Sequence, residues 1–213
     1  MNNNNINIDG AQIESVDEFV FLGSVVPDTS TDVKRRTALA SSAFGRLKKA
    51  VWDERNISRA LKIRLYKALI LPIAIYASES WTLKANDNRK LEVFEMRCLR
   101  AILGVSIRDR MPNDKVRKTL NIRTSITEEI QKRRLRWFGH VSRRPPENFV
   151  SRAYRQDFPN PRPRGRPGKR WIDQVREDTG LPIATAERRA ANRRGWRQSS
   201  RLVGARGDHH LCR

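Results

Sequence analysis

Residues 161–170 restrict the possible folds of this chain more than any other stretch, because they disfavour both helix and sheet. The ten residues include three prolines, which lack a backbone N–H, and two glycines, which are conformationally free. They also include four arginines and one lysine but no acidic residue. Such a segment stays extended and solvated. We therefore expect a Pro/Arg-rich linker over residues 145–168, between a compact region and short basic helices.

The Arg-Gly-Arg-Pro sequence at 164–167 has the shape and charge of a minor-groove peptide. Glycine keeps the peptide narrow, and the two arginines can reach the negative potential of A·T-rich DNA. The strip closely resembles the AT-hook of high-mobility-group A proteins. The alternative is a flexible basic linker that contacts any phosphate. The candidate nucleic-acid-binding residues of the strip are Arg162, Arg164, Gly165, Arg166, Lys169 and Arg170.

The charge of the chain points to a polyanionic partner. Forty-four lysines and arginines against 23 aspartates and glutamates give a formal net charge of +21. This charge exceeds what solubility requires, so we expect the partner to be nucleic acid. No lysine or arginine occurs before Lys34, whereas arginine dominates after Gln131. The middle and the C-terminal part of the chain are therefore expected to contact the partner.

No segment predicts a membrane helix or an exported protein. The longest apolar run, residues 68–77, has about half of the roughly 20 residues that a membrane helix needs, and Pro72 interrupts it. Residues 1–5 lack the basic start and apolar core of a signal peptide. Cys98 and Cys212 are expected to be free thiols. We expect an intracellular, nuclear protein without membrane contact, and the sequence leaves its oligomeric state open.

The sequence pattern predicts a mainly α fold with a small N-terminal β-hairpin element, an α+β class. Asp9-Gly10 separates two short strands at 6–8 and 11–16, since this dipeptide suits a two-residue hairpin turn, and a further strand is predicted over 18–26. Helical spacing of apolar residues follows. The predicted helices are 32–51 (capped by Asp32), 58–81 (capped by Ser58, interrupted at Pro72), 87–103, 113–120, 125–143, 169–179 and 184–198.

No pattern of residues indicates catalysis. Polymerases and many nucleases hold two metal ions through paired acids, and no Asp-Asp pair occurs in this chain. His209, His210 and Cys212 form one ligand group rather than the separated pairs of a zinc site, so no metal site is predicted. Three other acidic pairs are expected to be solvated charges: Glu92 with Glu95, Glu128-Glu129 and Glu177-Asp178.

Residues 132–138 interleave cations with aromatic residues inside the predicted helix 125–143. Such a helix can hold phosphates on its cations while it buries an aromatic stripe. The alternative is an ordinary amphipathic helix whose aromatic residues only fill the core, and the net charge favours binding. His140, near the helix end, is expected to pack or to face phosphate. The predicted apolar face carries Ile126, Ile130, Trp137 and Val141, and the cations around it are Lys132, Arg133, Arg134 and Arg136.

Five segments in order resemble the C-terminal part of the reverse transcriptase of non-LTR (LINE-type) retrotransposons. The segment 8–24, which ends in FVFLGS, is similar to the end of the palm with its primer-grip hairpin. The segment 71–83 is similar to the Pro-x-x-x-Tyr-x-x-Glu-Thr-Trp stretch that follows it. The other three are FEMRCLR at 94–100, RRLRWFGHV at 133–141, and 165–173, which begins with GRP and ends with RWID. The resemblance spans residues 6–197.

The resemblance implies roles for particular residues. A primer-grip hairpin would set its backbone beside a primer 3′ end, where glycine allows close approach. A helical thumb would contact the sugar-phosphate of an RNA–DNA duplex by shape, and the tail would hold target DNA or element RNA. The primer-grip-like residues are Phe21, Leu22, Gly23 and Ser24. The thumb cations are Lys34, Arg35, Lys48 and Lys49.

The resemblance also implies that these 213 residues do not catalyse polymerisation on their own. In that family the catalytic aspartates and the endonuclease domain lie N-terminal to the primer grip, and these residues contain neither. No cofactor is therefore expected, and Mg²⁺ belongs to the full-length enzyme. Two rival interpretations stay open: an AT-hook-type DNA-binding chromatin protein, and a retroelement-derived product with no cellular role.

The resemblance and the composition together divide the chain into five stretches. Residues 1–31 correspond to a palm remnant with the hairpin, and residues 32–144 to the helical thumb-like region. The Pro/Arg-rich linker covers 145–168, short basic helices cover 169–199, and a disordered tail is expected over 200–213.

Overall fold

The computed structural model describes residues 6–8, 11–13, 16, 18–26, 28–155 and 168–202. As the sequence predicts, the protein is mainly helical with a small β element at its N-terminal end. Strand β1 (Ile6–Ile8) pairs antiparallel with β2 (Ala11–Ile13), and β3 (Phe19–Phe21) pairs antiparallel with β4 (Ser24–Val26). No strand follows β4 in the residues just named.

Ten α-helices cover most of the described chain after β4. Short π-helical turns, Lys48–Trp52 and Tyr66–Ile70, lie between some of them. The helices are α1 (Thr29–Arg46), α2 (Arg59–Leu65), α3 (Leu71–Ala74), α4 (Ala85–Leu103), α5 (Asn113–Thr119), α6 (Ile126–Ser142), α7 (Phe149–Arg155), α8 (Trp171–Thr179), α9 (Ile183–Ala191) and α10 (Arg193–Leu202).

The prediction of one strand over residues 18–26 is wrong, because the chain turns back in the middle of that segment. Leu22 has φ 47° and Gly23 has φ 81°, and these two residues form the turn between β3 and β4. Positive φ at both turn positions matches the right-handed twist of a two-residue hairpin. Leucine is an unusual residue at such a position, so the alternating pattern predicted a continuous strand.

Asp32 does not cap α1, as the sequence predicted; Asp28 does. The Asp28 carboxylate accepts hydrogen bonds from the backbone N–H groups of Ser30 and Thr31 and from the Thr31 hydroxyl. The hydroxyl bond, followed by the two backbone bonds, lowers the pKa of Asp28. Asp32 lies one turn further on and is fully buried. The predicted start of α2 at Ser58 and the end of α4 at Gly104 are both confirmed.

Pro72 interrupts regular helix geometry, as expected. The helix that begins at α2 widens into the π-helical turn Tyr66–Ile70 immediately before α3, and the N–H of Leu71 donates to the carbonyl of Tyr66. Proline has no N–H to donate and its ring crowds the preceding turn, so the ladder shifts before it. The apolar run around Pro72 is buried at Ile70, Ala74 and Ile75.

Two predicted segments differ from the structure in the C-terminal third. Helix α7 lies inside residues 145–168, so the first part of the predicted linker is helical. The predicted helix 184–198 is two helices, because Asn192 is extended and its side-chain oxygen accepts the N–H of Gly195 at 3.1 Å. Asparagine at this position caps α10 and ends α9.

The described residues bury two hydrophobic clusters that meet along α6. The larger cluster packs α1, the π-helical turns, α4 and α5 against the first half of α6, including Ile126 and Ile130. The smaller cluster packs α8, α9 and α10 against the second half, where Leu135 and Phe138 are buried. Helix α6 therefore holds the C-terminal helices on the rest of the molecule. No described helix is both long enough and apolar enough to span a bilayer.

Candidate nucleic-acid interface

The primer-grip-like hairpin presents an apolar tip to solvent. Phe21 and Leu22 are 59% and 78% exposed. The carbonyl of Leu22 accepts a hydrogen bond from the Tyr76 hydroxyl at 3.0 Å. The carbonyl of Gly23 accepts hydrogen bonds from the guanidinium groups of Arg35 and Arg36. Arg35, which the resemblance assigns to nucleic-acid contact, is thus engaged with the hairpin.

Asp32 holds this hairpin on α1. One carboxylate oxygen accepts from the Ser24 hydroxyl at 2.7 Å and from the Trp81 indole N–H at 2.9 Å. The other accepts from the backbone N–H of Val25 at 3.1 Å, and Arg36 lies 3.6 Å away. Ser24 therefore has a structural partner inside the protein.

The four predicted cations of α6 have three different environments. Arg136 is exposed. Lys132 and Arg133 are half-buried; Lys132 donates to the Thr124 hydroxyl at 3.2 Å, and Arg133 donates to the carbonyl of Ile75 at 3.1 Å. The expectation that Arg134 lies on the outer surface is wrong, because its side chain is only 2% exposed.

Arg134 forms a buried ion pair with Asp178 of α8, with 2.6 Å between Nη1 and Oδ2. Burial raises the pKa of Asp178 to about 6, although the positive charge of Arg134 acts in the opposite direction. Burial also disfavours the charged form of Arg134 and so lowers the pKa of this residue. Asp178 is therefore not the solvated charge that the sequence predicted. The pair joins α6 to α8.

Glu95 is also buried rather than solvated. It accepts hydrogen bonds from Arg117 at 2.8 Å and from the backbone N–H of Ile126 at 2.9 Å, while burial raises its pKa. Glu92 lies 3.6 Å from the same arginine. These acids therefore join α4, α5 and α6. The part of the chain described here holds no group of three or more His, Cys, Asp or Glu residues placed to bind a metal ion.

A basic cleft of about 540 Å³ lies between α6 and α10. We call it the α6–α10 cleft. No acidic residue lines it, and the guanidinium groups of Arg136, Arg193 and Arg197 have no hydrogen-bonded or ionic partner among the described residues. Its lining residues are Lys132, Arg136, His140, Arg143, Arg193, Trp196, Arg197 and Ser200.

The cations of the α6–α10 cleft raise one another's electrostatic energy. Burial and the positive charge of Arg193 lower the pKa of Arg143. Burial lowers the pKa of His140 as well, followed by the charges of Arg144, Arg143 and Arg193. Like charges held together without a counter-charge attract anions, since an anion relieves this repulsion.

An aromatic pair borders the α6–α10 cleft. The rings of Trp137 and His140 stack with centroids 5.3 Å apart and planes at 17°. Trp137 is 37% exposed, so the prediction that it lies on the buried face is wrong. The apolar side chains of α6 that are buried beside it are Leu135, two residues before Trp137, and Phe138, one residue after it.

A second basic groove, of about 510 Å³, lies between α1 and α4. This groove is lined by Lys34, one of the predicted thumb cations, and by Arg89, Lys90 and Arg97 of α4. Lys90 lies 3.9 Å from Asp87. Lys48 and Lys49 are exposed on the π-helical turn after α1 and do not line this groove.

The cations at the start of α8 contact the protein itself. Lys169 forms an ion pair with Glu177, and Arg170 lies 3.6 Å from Asp173, whose carboxylate accepts the N–H of Arg170 at 3.0 Å. These contacts stabilise the first turn of α8. The AT-hook-like residues Arg162, Arg164, Gly165 and Arg166 lie outside the described residues.

Sequence reasoning missed three cations of the α6–α10 cleft, namely Arg143, Arg193 and Arg197. A signal for one side existed, since residues 132, 136, 140 and 143 follow the spacing of one helix face. The arginine-rich pattern of residues 184–198 was also visible. Only the packing of Trp196 on Gly139 brings the two sets together.

A comparison with curated proteins finds a related sequence. It is an uncharacterized transposon-derived protein of Caenorhabditis elegans, 23% identical over 183 residues. The match covers 83% of this chain but 65% of that protein, so the chain spans about two thirds of the length of its relative. No protein-family model and no solved structure matches the chain.

Proposed function

We propose that this protein binds nucleic acid through the α6–α10 cleft. The observation that carries this proposal is the cleft itself: four arginines and a lysine, with no acidic residue, line one surface. Phosphate groups suit this arrangement, because arginine donors match phosphate geometry and each contact releases counterions from the nucleic acid. The net charge of +21 adds a long-range attraction.

We further propose that the chain originates from a retroelement. The similarity to a transposon-derived protein supports this, and the five motifs point to the C-terminal part of a LINE-type reverse transcriptase. In this proposal residues 1–213 hold an RNA–DNA or DNA duplex or the element RNA, act in the nucleus, and by themselves neither polymerise nor need a cofactor. Adding Mg²⁺ and nucleotides to a primed template should yield no extension, and robust synthesis would refute this part.

Fluorescence anisotropy with a labelled DNA duplex and an RNA–DNA duplex tests the binding proposal. If five cations contact phosphates, the slope of log affinity against log salt is about −4.5, and affinity falls about 500-fold between 50 and 200 mM salt. The double variant Arg136→Glu/Arg197→Glu should bind far more weakly, with a shallower slope.

The matched control is Arg59→Glu/Arg64→Glu, which changes the net charge by the same amount at exposed positions of α2 outside both grooves. It should retain most of the affinity. Equal losses in both double variants would show that binding is not localised to the cleft. Absence of salt-sensitive binding in the unmodified protein would refute the function.

Competition between A·T-rich and G·C-rich duplexes addresses the AT-hook-type alternative. Preference for A·T-rich DNA that disappears in Arg164→Ala/Arg166→Ala would favour a minor-groove role for the Pro/Arg-rich strip. Equal affinity for both duplexes would favour the flexible basic linker. Absence of the endogenous protein from cells would favour a product without a cellular role.

A further inference from the structure

Trp137 is placed where core packing does not explain it. Of the five tryptophans, Trp52, Trp81 and Trp196 are buried and Trp171 is half-buried, whereas Trp137 alone is exposed. A tryptophan ring can bury a large apolar area, so a ring that is 37% exposed still offers surface to a partner. The aromatic ring of Trp137 is therefore available for contact with a ligand.

Trp137 belongs to the border of the basic cleft. It follows Arg136 in α6, and it stacks on His140, which lines the cleft. The stack fixes the orientation of the indole beside the cations. A flat aromatic surface next to a positively charged groove is the combination that proteins use to bind unpaired bases.

The width of the cleft favours one strand over two. Helices α6 and α10 are in direct contact, since a Cβ added at Gly139 would lie 2.4 Å from the Trp196 ring. The Trp196 indole N–H also donates to the carbonyl of Leu135 at 2.8 Å. Helices packed this closely have axes about 8–10 Å apart, so a duplex cannot enter the groove between them, and we infer that a single sugar-phosphate chain lies along it.

We propose, building on the function proposed above, that the α6–α10 cleft binds single-stranded nucleic acid and that an unpaired base stacks on Trp137. The cations contact successive phosphates, among them Arg136 on one wall and Arg193 and Arg197 on the other. The Trp137 ring contributes a contact that any base can make, so recognition depends on strandedness and not on sequence. A duplex offers phosphates to the same cations, but its bases are already stacked on one another.

The test compares a labelled 20-nucleotide DNA single strand of mixed sequence with the same strand annealed to its complement. The unmodified protein should bind the single strand more tightly. Trp137→Leu should lower affinity for the single strand about 5-fold to 150-fold, the range for loss of one stacked base, and change duplex affinity less than twofold. Trp137→Phe keeps an aromatic ring and should restore most of the loss.

Tryptophan fluorescence supplies a second readout. The single strand should quench the emission of the unmodified protein more than that of Trp137→Phe, because the exposed indole contacts the base directly. Circular dichroism should show that both variants remain folded, since the ring is outside both clusters.

Three results would overturn the inference while leaving nucleic-acid binding intact. These are tighter binding of the duplex, equal effects of Trp137→Leu on both probes, and no effect on either. Lack of binding to both probes by the unmodified protein would instead refute the function on which the inference depends. A loss in Arg136→Glu/Arg197→Glu without a loss in Trp137→Leu would assign binding to the phosphate contacts alone.

Discussion

At the scale of single residues, Arg134 and Arg136 show how differently two neighbouring cations can act. They lie two positions apart in α6, and both belong to the same basic run. Arg134 points into the protein and pairs with Asp178, whereas Arg136 is exposed and lines the α6–α10 cleft. Their spacing predicts that they occupy opposite sides of the helix, but not which side is buried.

Replacing Arg134 should reduce stability, whereas replacing Arg136 should reduce binding. Arg134→Ala leaves the Asp178 carboxylate buried without a partner, so we expect the free energy of unfolding to fall by about 3–5 kcal/mol. Arg136→Ala should change it by less than about 0.5 kcal/mol but weaken binding to nucleic acid. Urea denaturation measures the first effect and anisotropy the second. Similar stabilities for the two variants would contradict the buried ion pair.

Gly139 is a second residue whose surroundings predict how a substitution changes stability. Gly139→Ala would place a methyl group against the buried Trp196 ring, so we expect a loss of about 1–3 kcal/mol through strain and displacement of α10. Gly45→Ala is the control, because nothing lies within 4 Å of the added carbon. It should stabilise the protein by about 0.5–1 kcal/mol through higher helix propensity. Thermal and urea unfolding of both variants provide the comparison.

At the scale of elements, helical periodicity predicted most of the described architecture. Helices α4, α5, α6 and α8 lie within two residues of their predicted bounds at both ends, because each combines a regular apolar stripe with a recognisable start or stop. The residue pattern did not predict the β3–β4 hairpin, which only the resemblance implied, and it did not predict the break between α9 and α10. Each depends on a single residue: Leu22 takes an unusual positive φ in the turn, and Asn192 caps α10 in the middle of a continuous arginine-rich pattern.

Asp32 attaches the hairpin to α1, whereas Asp28 caps that helix. Substitutions of these two aspartates should therefore reduce stability by different amounts. Asp32→Ala would leave Arg36 and the Trp81 indole without their buried partner, so we expect a loss of about 3–5 kcal/mol. Asp28→Ala removes only the helix cap and should cost about 0.5–2 kcal/mol.

Denaturation curves of the two variants measure this difference. Hydrogen exchange should also show reduced protection in β3 and β4 for Asp32→Ala but not for Asp28→Ala. A larger loss for Asp28→Ala would mean that Asp32 does not anchor the hairpin.

At the scale of the whole molecule, the packing of α10 on α6 concentrates positive charge in one cleft. Affinity for nucleic acid at this cleft should therefore depend on pH. The pKa of His140 lies below its usual value near 6.5, chiefly because of burial and then because of three neighbouring arginines. A bound phosphate would favour the charged imidazole and raise that pKa, so binding takes up a proton.

Affinity for nucleic acid should therefore increase as the pH falls from 7.5 to 5.5 at constant salt. This affinity should rise by up to about tenfold for each unit by which a bound phosphate raises the pKa of His140. Anisotropy titrations of the unmodified protein and His140→Gln measure it. Asp178, with a pKa of about 6, is present in both proteins, so only the difference between them reports His140. An identical pH dependence in the two proteins would exclude phosphate contact at His140.

The class of the fold, most helix positions and the basic character of the surface can all be derived from the amino-acid sequence. These properties follow from local spacing of apolar residues and from net charge, which need no knowledge of distant contacts. Tertiary structure alone decided that Arg134 is buried, that Trp137 is exposed and that Arg193 and Arg197 face Arg136. Such outcomes depend on which helices pack together, because burial and charge pairing are properties of residues far apart in the chain.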